Sequence, residues 1–248
     1  MRANPPGVRH IALATTDSTN AEALRRARQG EAGPLWITAE VQTAGRGRSG
    51  NSWVSEPGNL YATLLLREPS LPSAAAQLAF VAGLAVHDAV AACASNLGPL
   101  LQLKWPNDLL CNGRKLAGLL IEAENGPVFA AAIGIGINCV SHPDNASYPA
   151  IDLKSAGVEV TPGALFAALA ETMRSRRTQW ARGEGFASIR ADWLKRAAGL
   201  GEPIKVRLPD RQLAGRFSGV DDSGRLLLET PGRIETITAG EVFSLGAA

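Results

Sequence analysis

The chain has 248 residues, 46% hydrophobic and 19% charged, which is enough apolar material for a sizeable core and excludes a disordered or low-complexity polymer. Lys and Arg number 25 against 23 Asp and Glu, a formal charge of +2 that excludes a globally basic nucleic-acid binder and leaves charge to be judged locally. Cys93, Cys111 and Cys139 are scattered and form no CxxC pair, the pattern of free thiols in a reducing compartment rather than of a disulfide frame.

Residues 1–7 contain no apolar segment, so they do not read as a signal peptide, and the chain is expected in the cytoplasm. Thr19-Asn20-Ala21-Glu22 fits a capping box with Thr19 as the cap, which predicts a helix continuing through the helix-friendly residues from Ala23. Residues 35–41 and 60–66 are strand candidates. Residues 74–95 form the longest apolar stretch; Gln77, His87 and Asp88 interrupt it, so it reads as a buried helix and not as a membrane span. Short apolar runs at 100–105, 115–122 and 128–138 follow, and 162–198 is again helical in pattern. Strand candidates that succeed one another without helices predict an α+β fold, a mixed or antiparallel sheet with helices packed on it.

The texture changes near Gly199. From Glu202 on, short strands alternate with turn signals at Pro209-Asp210, Asp222-Ser-Gly224 and Pro231-Gly232, which predicts a small all-β unit, closed or nearly so. The expected division is 1–198 and 199–248. Residues 201–248 hold six Lys/Arg and seven Asp/Glu, no footprint for nucleic acid. The isolated His10, His87 and His142 do not make a zinc site. Arg174, Arg176, Arg177 and Arg182 read as a solvated helix face; the functional alternative is a landing surface for an acidic partner.

The most informative segment is Gln42-Thr-Ala-Gly-Arg-Gly-Arg-Ser-Gly-Asn-Ser-Trp53. Its glycines free the backbone so that N–H groups can converge on an anion, and Arg46 and Arg48 add guanidinium forks for phosphate or carboxylate. Residues 45–50 spell G-x-G-x-x-G, but the following residues lead to a strand instead of a long helix, which defeats a dinucleotide-binding reading. Asn51 stands where a Walker lysine would be, and kinase motifs are missing. In Lys104-Trp-Pro-Asn-Asp108, Asp108 is a candidate for Mg²⁺ and Asn107 for a ligand polar group, although Pro-Asn-Asp is also ordinary turn chemistry. In Gly113-Arg-Lys-Leu-Ala-Gly118, Lys115 stands at the mouth of an apolar strand, free to meet an anion or to snorkel to solvent.

Together these pieces resemble the biotin–protein ligases. The resemblance rests on Asp17-Ser-Thr-Asn20, Gln42-Thr-Ala-Gly-Arg-Gly-Arg48, Lys104-Trp-Pro-Asn-Asp108, Arg114-Lys-Leu-Ala-Gly118 and Gly134-Ile-Gly-Ile-Asn138, in family order. It implies a catalytic core akin to class II aminoacyl-tRNA synthetases and a C-terminal SH3-like barrel. The implied reaction joins biotin to ATP as biotinyl-5′-adenylate, with Mg²⁺, and passes biotin to a lysine of a carboxylase carrier domain. By that resemblance Arg48 and Lys115 bridge the biotin carboxylate and the α-phosphate. Ser18, Thr19, Asn20, Gln42, Gly45, Arg46, Lys115 and Gly118 meet biotin. Arg48, Trp53, Asn107, Asp108, Lys115 and Asn138 meet ATP, and Asp108 is the metal residue.

Members of that family often carry further arginines after Gly-Arg-Gly-Arg, where this chain has Ser49 and Asn51, so looser closure over the adenylate is expected. About fifteen residues precede the Ser-Thr-Asn motif, which leads us to expect a ligase without a DNA-binding repressor role and no nucleic-acid or membrane partner. Dimerisation stays open. A lipoate or octanoate ligase is the nearest rival, but those acids have no ureido ring to use the Ser-Thr-Asn and Gln42 set. A non-catalytic biotin sensor would have no need of Lys115 or Asp108.

Overall fold

The computed structural model describes residues 8–67, 72–125, 128–144 and 148–244; residues 1–7, on which the signal-peptide reading falls, lie outside the described residues. The first part of the chain forms β1 (Arg9–Thr16), α1 (Thr19–Arg28), β2 (Leu35–Gln42), β3 (Leu60–Arg67), α2 (Leu78–Cys93) and β4 (Leu101–Lys104). It continues through β5 (Asp108–Cys111), β6 (Arg114–Glu124), β7 (Ala130–Ile137), α3 (Pro162–Trp180) and α4 (Phe186–Leu194). Seven strands make one sheet in the order β1-β2-β3-β7-β6-β5-β4. β1 and β2 run parallel, joined across α1, and the other pairs are antiparallel, so the sheet is mixed and the fold α+β.

Helices cover both faces of the centre of this sheet. A strand buried on both sides has no polar face to alternate, which is why β3 reads as an unbroken apolar run and is buried up to its last residue. On one face α1 packs Ala23, Leu24 and Ala27 against Leu35, Ile37, Leu65, Ala130 and Ala132. On the other, α2 and α3 bring Leu78, Leu84, Leu165 and Met173 to Leu64, Ile133 and Ile135 in the main core. The stretch Ala74–Cys93 is long and apolar enough to cross a membrane. Ten residues of α2 are nevertheless buried in this core, as expected for a core helix.

Several local readings need correction. The N-cap of α1 is Ser18, not Thr19: Ser18 is extended and its hydroxyl faces the Ala21 N–H at 3.5 Å. Glu22 is taken by Arg25 and Arg26, so no capping box forms. The turn in Lys104-Trp-Pro-Asn-Asp108 is shorter than expected, and Asp108 already opens β5. The edge strand β1, with no fully buried position, gave no apolar signal. The helical stretch from Pro162 is broken where Ala181, Arg182 and Gly183 adopt positive φ.

Residues beyond Gly199 form β8 (Pro203–Arg207), β9 (Gln212–Val220), β10 (Leu226–Thr230), β11 (Arg233–Ile237) and β12 (Glu241–Ser244). These make an antiparallel sheet in the order β11-β10-β9-β8-β12. It is no loosely tethered bead. Ile204, Phe217 and Leu226 belong to the main core, and Trp105 Nε1 donates to the Gly224 carbonyl at 3.1 Å.

Cys111 and Cys139 are buried, Cys93 is half-buried, and all three are free. The solvated-face reading fits Arg174, exposed and paired with Glu171, but is corrected at Arg176, which is 14% exposed and paired with Asp88 and Asp192, and at Arg177, whose pKa is lowered by burial.

Candidate active site

The site lies on the α1 face of the sheet, beyond the start of α1, and its floor is written in β7. Ala130 and Ala132 face α1, while Ala131, Ile133, Ile135 and Ile137 face the main core. By the strand's two-residue period, Gly134 and Gly136 continue the α1 face where the helix stops. Both glycines are required by close approach. A Cβ at Gly134 would lie 2.4 Å from Asn20 Oδ1, and one at Gly136 2.5 Å from Trp53 Cε2. Gly118 of β6, paired with Gly136, would meet the same indole at 2.8 Å. Trp53 thus lies across a glycine floor, with its Nε1 buried and without a hydrogen-bond partner among the described residues.

Lys115 reaches this face through a β-bulge. The β5–β6 register runs Leu109↔Ala117 and then Leu110↔Lys115. Leu116 and Ala117 both point into the main core, so the alternation is reset and Lys115 emerges on the same side as Gly118. Its Nζ stands 2.8 Å from Asp108 Oδ1 and over the rings of Tyr148 and Trp53, 4.6 and 5.4 Å from their centroids. The contact with Asp108 lies off the hydrogen-bond direction, since that oxygen has no hydrogen bond despite its burial. We treat it as an ion pair, which distance governs more than angle.

The glycine–arginine segment is a small hairpin. Trp53 N–H donates to Gly45 O at 2.9 Å and Gly47 N–H to Asn51 O at 2.7 Å, and Arg46 bridges to Ser52. At its tip Ser49 and Gly50 have positive φ. A Cβ at Gly45 would come within 2.4 Å of Trp53 O, which makes that glycine a condition of the hairpin. The expectation that the loop's N–H groups converge on an anion is corrected for the Gly47, Asn51 and Trp53 amides, which bond within the loop. The cations do the reaching. Arg46 Nη2 contacts Glu122, and Arg48 Nη1 contacts Asn107 Oδ1 at 3.3 Å and Gly240 O at 3.5 Å. Burial pulls the Arg48 guanidinium below its ordinary pKa, against the opposing charges of Asp108 and Glu241.

The remaining wall is polar and largely buried. Thr19 N–H and Oγ1 face Gln42 Oε1 at 2.8 and 3.0 Å. Gln42 Nε2 donates to Ser55, and Thr63 lies within hydrogen-bond distance of Thr19 and Asn20. Asn20 gives both amide hydrogens to Leu120 O and Glu122, so it offers a ligand an acceptor only. Asp17 is held far below the usual carboxylate range by the Arg25 guanidinium, and this pair pins the Ser-Thr-Asn turn to α1. Asn107 Nδ2 is bound to Leu119 O, and Asn138 Nδ2 to Ile151 O.

Ser18, Thr19, Asn20, Gln42, Arg46, Arg48, Trp53, Asn107, Asp108, Lys115, Gly118 and Asn138 all line one cavity of ≈ 630 Å³; of the expected residues Gly45 alone stands behind it. Arg48 and Lys115, from segments far apart in the chain, share that cavity with Asp108. The sequence did not flag Tyr148 over Lys115, Glu122 paired with Arg46 outside the lining, or Gly240 with Glu241 and Phe243 of β12, which bring the C-terminal sheet into the wall. Lys104, also in the lining, is depressed in pKa by burial. His87 and His142 pair with Asp88 and Asp152, and among the described residues no group of three metal-ligating side chains gathers.

A mixed sheet carrying two half-buried cations beside Asp108 and a polar pocket suits a site that brings anions together, and comparison with known proteins gives its class as the biotin/lipoate ligases. The family model described as Biotin/lipoate A/B protein ligase family matches residues 12–138, and the Biotin protein ligase C terminal domain matches residues 199–244. The chain belongs to the biotin–protein ligase family. A biotin–[acetyl-CoA-carboxylase] ligase of Paracoccus denitrificans is 46% identical over 242 residues, 93% of this chain and 98% of the relative. One of Mycobacterium tuberculosis is 34% identical, covering 94% of this chain and 88% of its own length. The Aquifex aeolicus biotin protein ligase in complex with biotin and ATP superimposes with a TM-score of 0.79 at 26% identity, covering 95% of this chain and 97% of its own.

Proposed function

We propose that this enzyme activates biotin with ATP to biotinyl-5′-adenylate and transfers biotin to a lysine of a carboxylase carrier domain. The observation that carries the reading is the convergence of Arg48 and Lys115 on one cavity beside Asp108. Two anions must meet for adenylation, and preorganised positive charge in a desolvated site offsets their repulsion as the transition state forms. A carboxylate oxygen of biotin attacks the α-phosphorus, the Pα–O bond to the β-phosphate breaks, and pyrophosphate leaves with the electron pair. The neutral amine of the acceptor lysine then attacks the acyl carbon, and AMP leaves as the C–O bond breaks and the amine proton passes to solvent.

Ser18, Thr19, Asn20, Gln42, Arg46 and Gly118 line the biotin side, with the Gly45 backbone behind them; Trp53, Asn107, Asp108 and Asn138 serve the nucleotide. Mg²⁺ fits Asp108, whose buried Oδ1 has no hydrogen bond. Bound there, the ion would screen phosphate charge, with phosphate and water supplying its other ligands. We read residues 1–198 as a class II synthetase-like catalytic domain and 199–248 as an SH3-like domain; the five strands and short turns of the latter support this. A cytoplasmic location suits three free thiols, and the near balance of charge supports a partner set without nucleic acid.

ATP–pyrophosphate exchange with biotin, lipoate or octanoate supplied in turn tests the reading. Exchange driven by biotin alone is expected, and exchange driven by lipoate instead would transfer the site to the rival ligase class.

A further inference from the structure

One acidic residue outside every recognised motif ties the glycine–arginine hairpin to the pocket wall. Arg46 Nη2 donates to both carboxylate oxygens of Glu122, at 3.0 and 2.9 Å. Glu122 Oε2 also accepts from Asn20 Nδ2 at 2.8 Å. The single carboxylate therefore joins the hairpin to the start of α1.

Counting protons gives the network beneath it a direction. Asn20 commits its two amide hydrogens to Glu122 and Leu120 O, which turns Oδ1 toward the Thr63 hydroxyl, 2.7 Å away. Thr19 N–H and Oγ1–H both donate to Gln42 Oε1, and the Thr63 hydroxyl, within hydrogen-bond distance of Asn20 Oδ1 and Thr19 Oγ1, places its one proton between those two acceptors. Gln42 Nε2 donates to Ser55 Oγ, which donates to Trp53 O. The relay leaves the hairpin at Trp53 and returns to it at Arg46.

Its links are unequal. Thr63, Asn20 and Thr19 are 0%, 3% and 4% exposed, so breaking their bonds strands polar groups in the core. Arg46 and Glu122 side chains are 44% and 29% exposed, and water can replace either partner at little cost. The circuit has one place to open.

We propose that Glu122 is a positioning residue, a latch that holds the hairpin down through Arg46 and so keeps Arg48 and Trp53 over the cavity. Release of the latch lifts the hairpin while the Thr19–Thr63–Asn20 wall stays intact. The substrate consequences rest on the ligase reading; the latch itself does not.

Limited trypsin digestion of the full chain without ligand tests it, since trypsin cuts after arginine and a pinned Arg46 resists. Glu122→Gln keeps an acceptor for Asn20 but removes the charge. Cleavage after Arg46 and Arg48, normalised to cleavage after exposed Arg211, should rise about two- to fivefold in this variant. In the unaltered chain, raising salt from about 0.05 to 0.5 M should produce a similar rise by screening. This second arm decides the matter should Glu122→Gln not fold. In turnover, the variant should raise the KM for biotin and the release rate of free adenylate several-fold while single-turnover adenylation stays within about twofold. Equal normalised cleavage in the variant and the unaltered chain, or salt-insensitive cleavage, would overturn the latch. Absence of biotin-dependent pyrophosphate exchange in the unaltered protein would instead overturn the ligase reading and leave the trypsin result standing.

Discussion

Lys115 Nζ lies 2.8 Å from Asp108 Oδ1 at the mouth of the cavity, a cation held ready by a carboxylate that does not hydrogen-bond it. A ligand carboxylate or phosphate can therefore draw Lys115 across without breaking a directed bond. Lys115→Ala should slow adenylation by roughly 10²–10³-fold, the usual consequence of removing one preorganised charge contact, while biotin affinity changes by less than about tenfold. Rapid-quench kinetics beside equilibrium binding separates the two. If affinity collapsed and chemistry stayed fast, the charge assignment would be wrong.

The floor makes a second prediction. Gly134→Ala places a Cβ 2.4 Å from Asn20 Oδ1, whose partners Leu120, Glu122 and Thr63 leave the amide no free direction to move. Such overpacking costs about 1–3 kcal/mol and should lower the Tm by several degrees together with biotin affinity. Gly136→Ala presses on Trp53 Cε2 at 2.5 Å, a partly exposed indole that borders the cavity and so has room to tilt. It should shift tryptophan fluorescence more than Tm. An unchanged Tm in Gly134→Ala would mean that Asn20 is not held as described.

These two sites also show what the sequence made legible. The alternation Ala-Ala-Ala-Ile-Gly-Ile-Gly-Ile-Asn already contains a small-residue face and a branched face, and the apolar runs of β3 and β7 announce a doubly covered sheet. The side of the sheet that Lys115 faces depends on a bulge opposite Leu109 and Leu110, a register property of two strands that no single segment encodes. Glu122, Tyr148 and Glu241 reach the site only through tertiary packing, and their local sequence carries no glycine or charge pattern to flag them. Ser18 and not Thr19 is the cap: Thr19 is already in the helix and gives its N–H and hydroxyl to Gln42, a partner 23 residues away that the local spacing does not show.

Acid should unfasten the helical layer at Asp192. Its carboxylate accepts from Gln179 and Arg176 and lies near Lys195, and these contacts, Gln179 first, lower its pKa from 3.8 to about 2. Because the folded value lies below the unfolded one, the stabilisation is present in full above about pH 4 and is lost as pH falls through 2. Urea midpoints between about pH 5 and 2 should fall more steeply for the unaltered chain than for Asp192→Asn, and the two curves should approach each other at the acid end. Parallel curves would show that Asp192 titrates alike in both states.

The hairpin tip bears on the fate of the adenylate. Ser49 and Asn51 are exposed, stand where family members often carry arginine, and leave Arg48 as the cation that the tip turns into the cavity. Asn51 lines the cavity and gives only its backbone to the hairpin, through Gly47 N–H and Arg48 O. Asn51→Arg can thus add a guanidinium over the bound phosphate without disturbing the turn. Ser49→Arg must keep a left-handed φ of 55°, an uncommon place for a long side chain, so it should cost some stability. Asn51→Arg should slow release of free biotinyl-adenylate in the absence of acceptor by about two- to tenfold, a charge-assisted contact at a partly exposed site. Adenylate escape is followed by separating bound from free nucleotide over time. Undetectable escape from the unaltered enzyme would remove the premise, because a hairpin carrying Ser49 and Asn51 would then already close as tightly as one carrying the additional arginines.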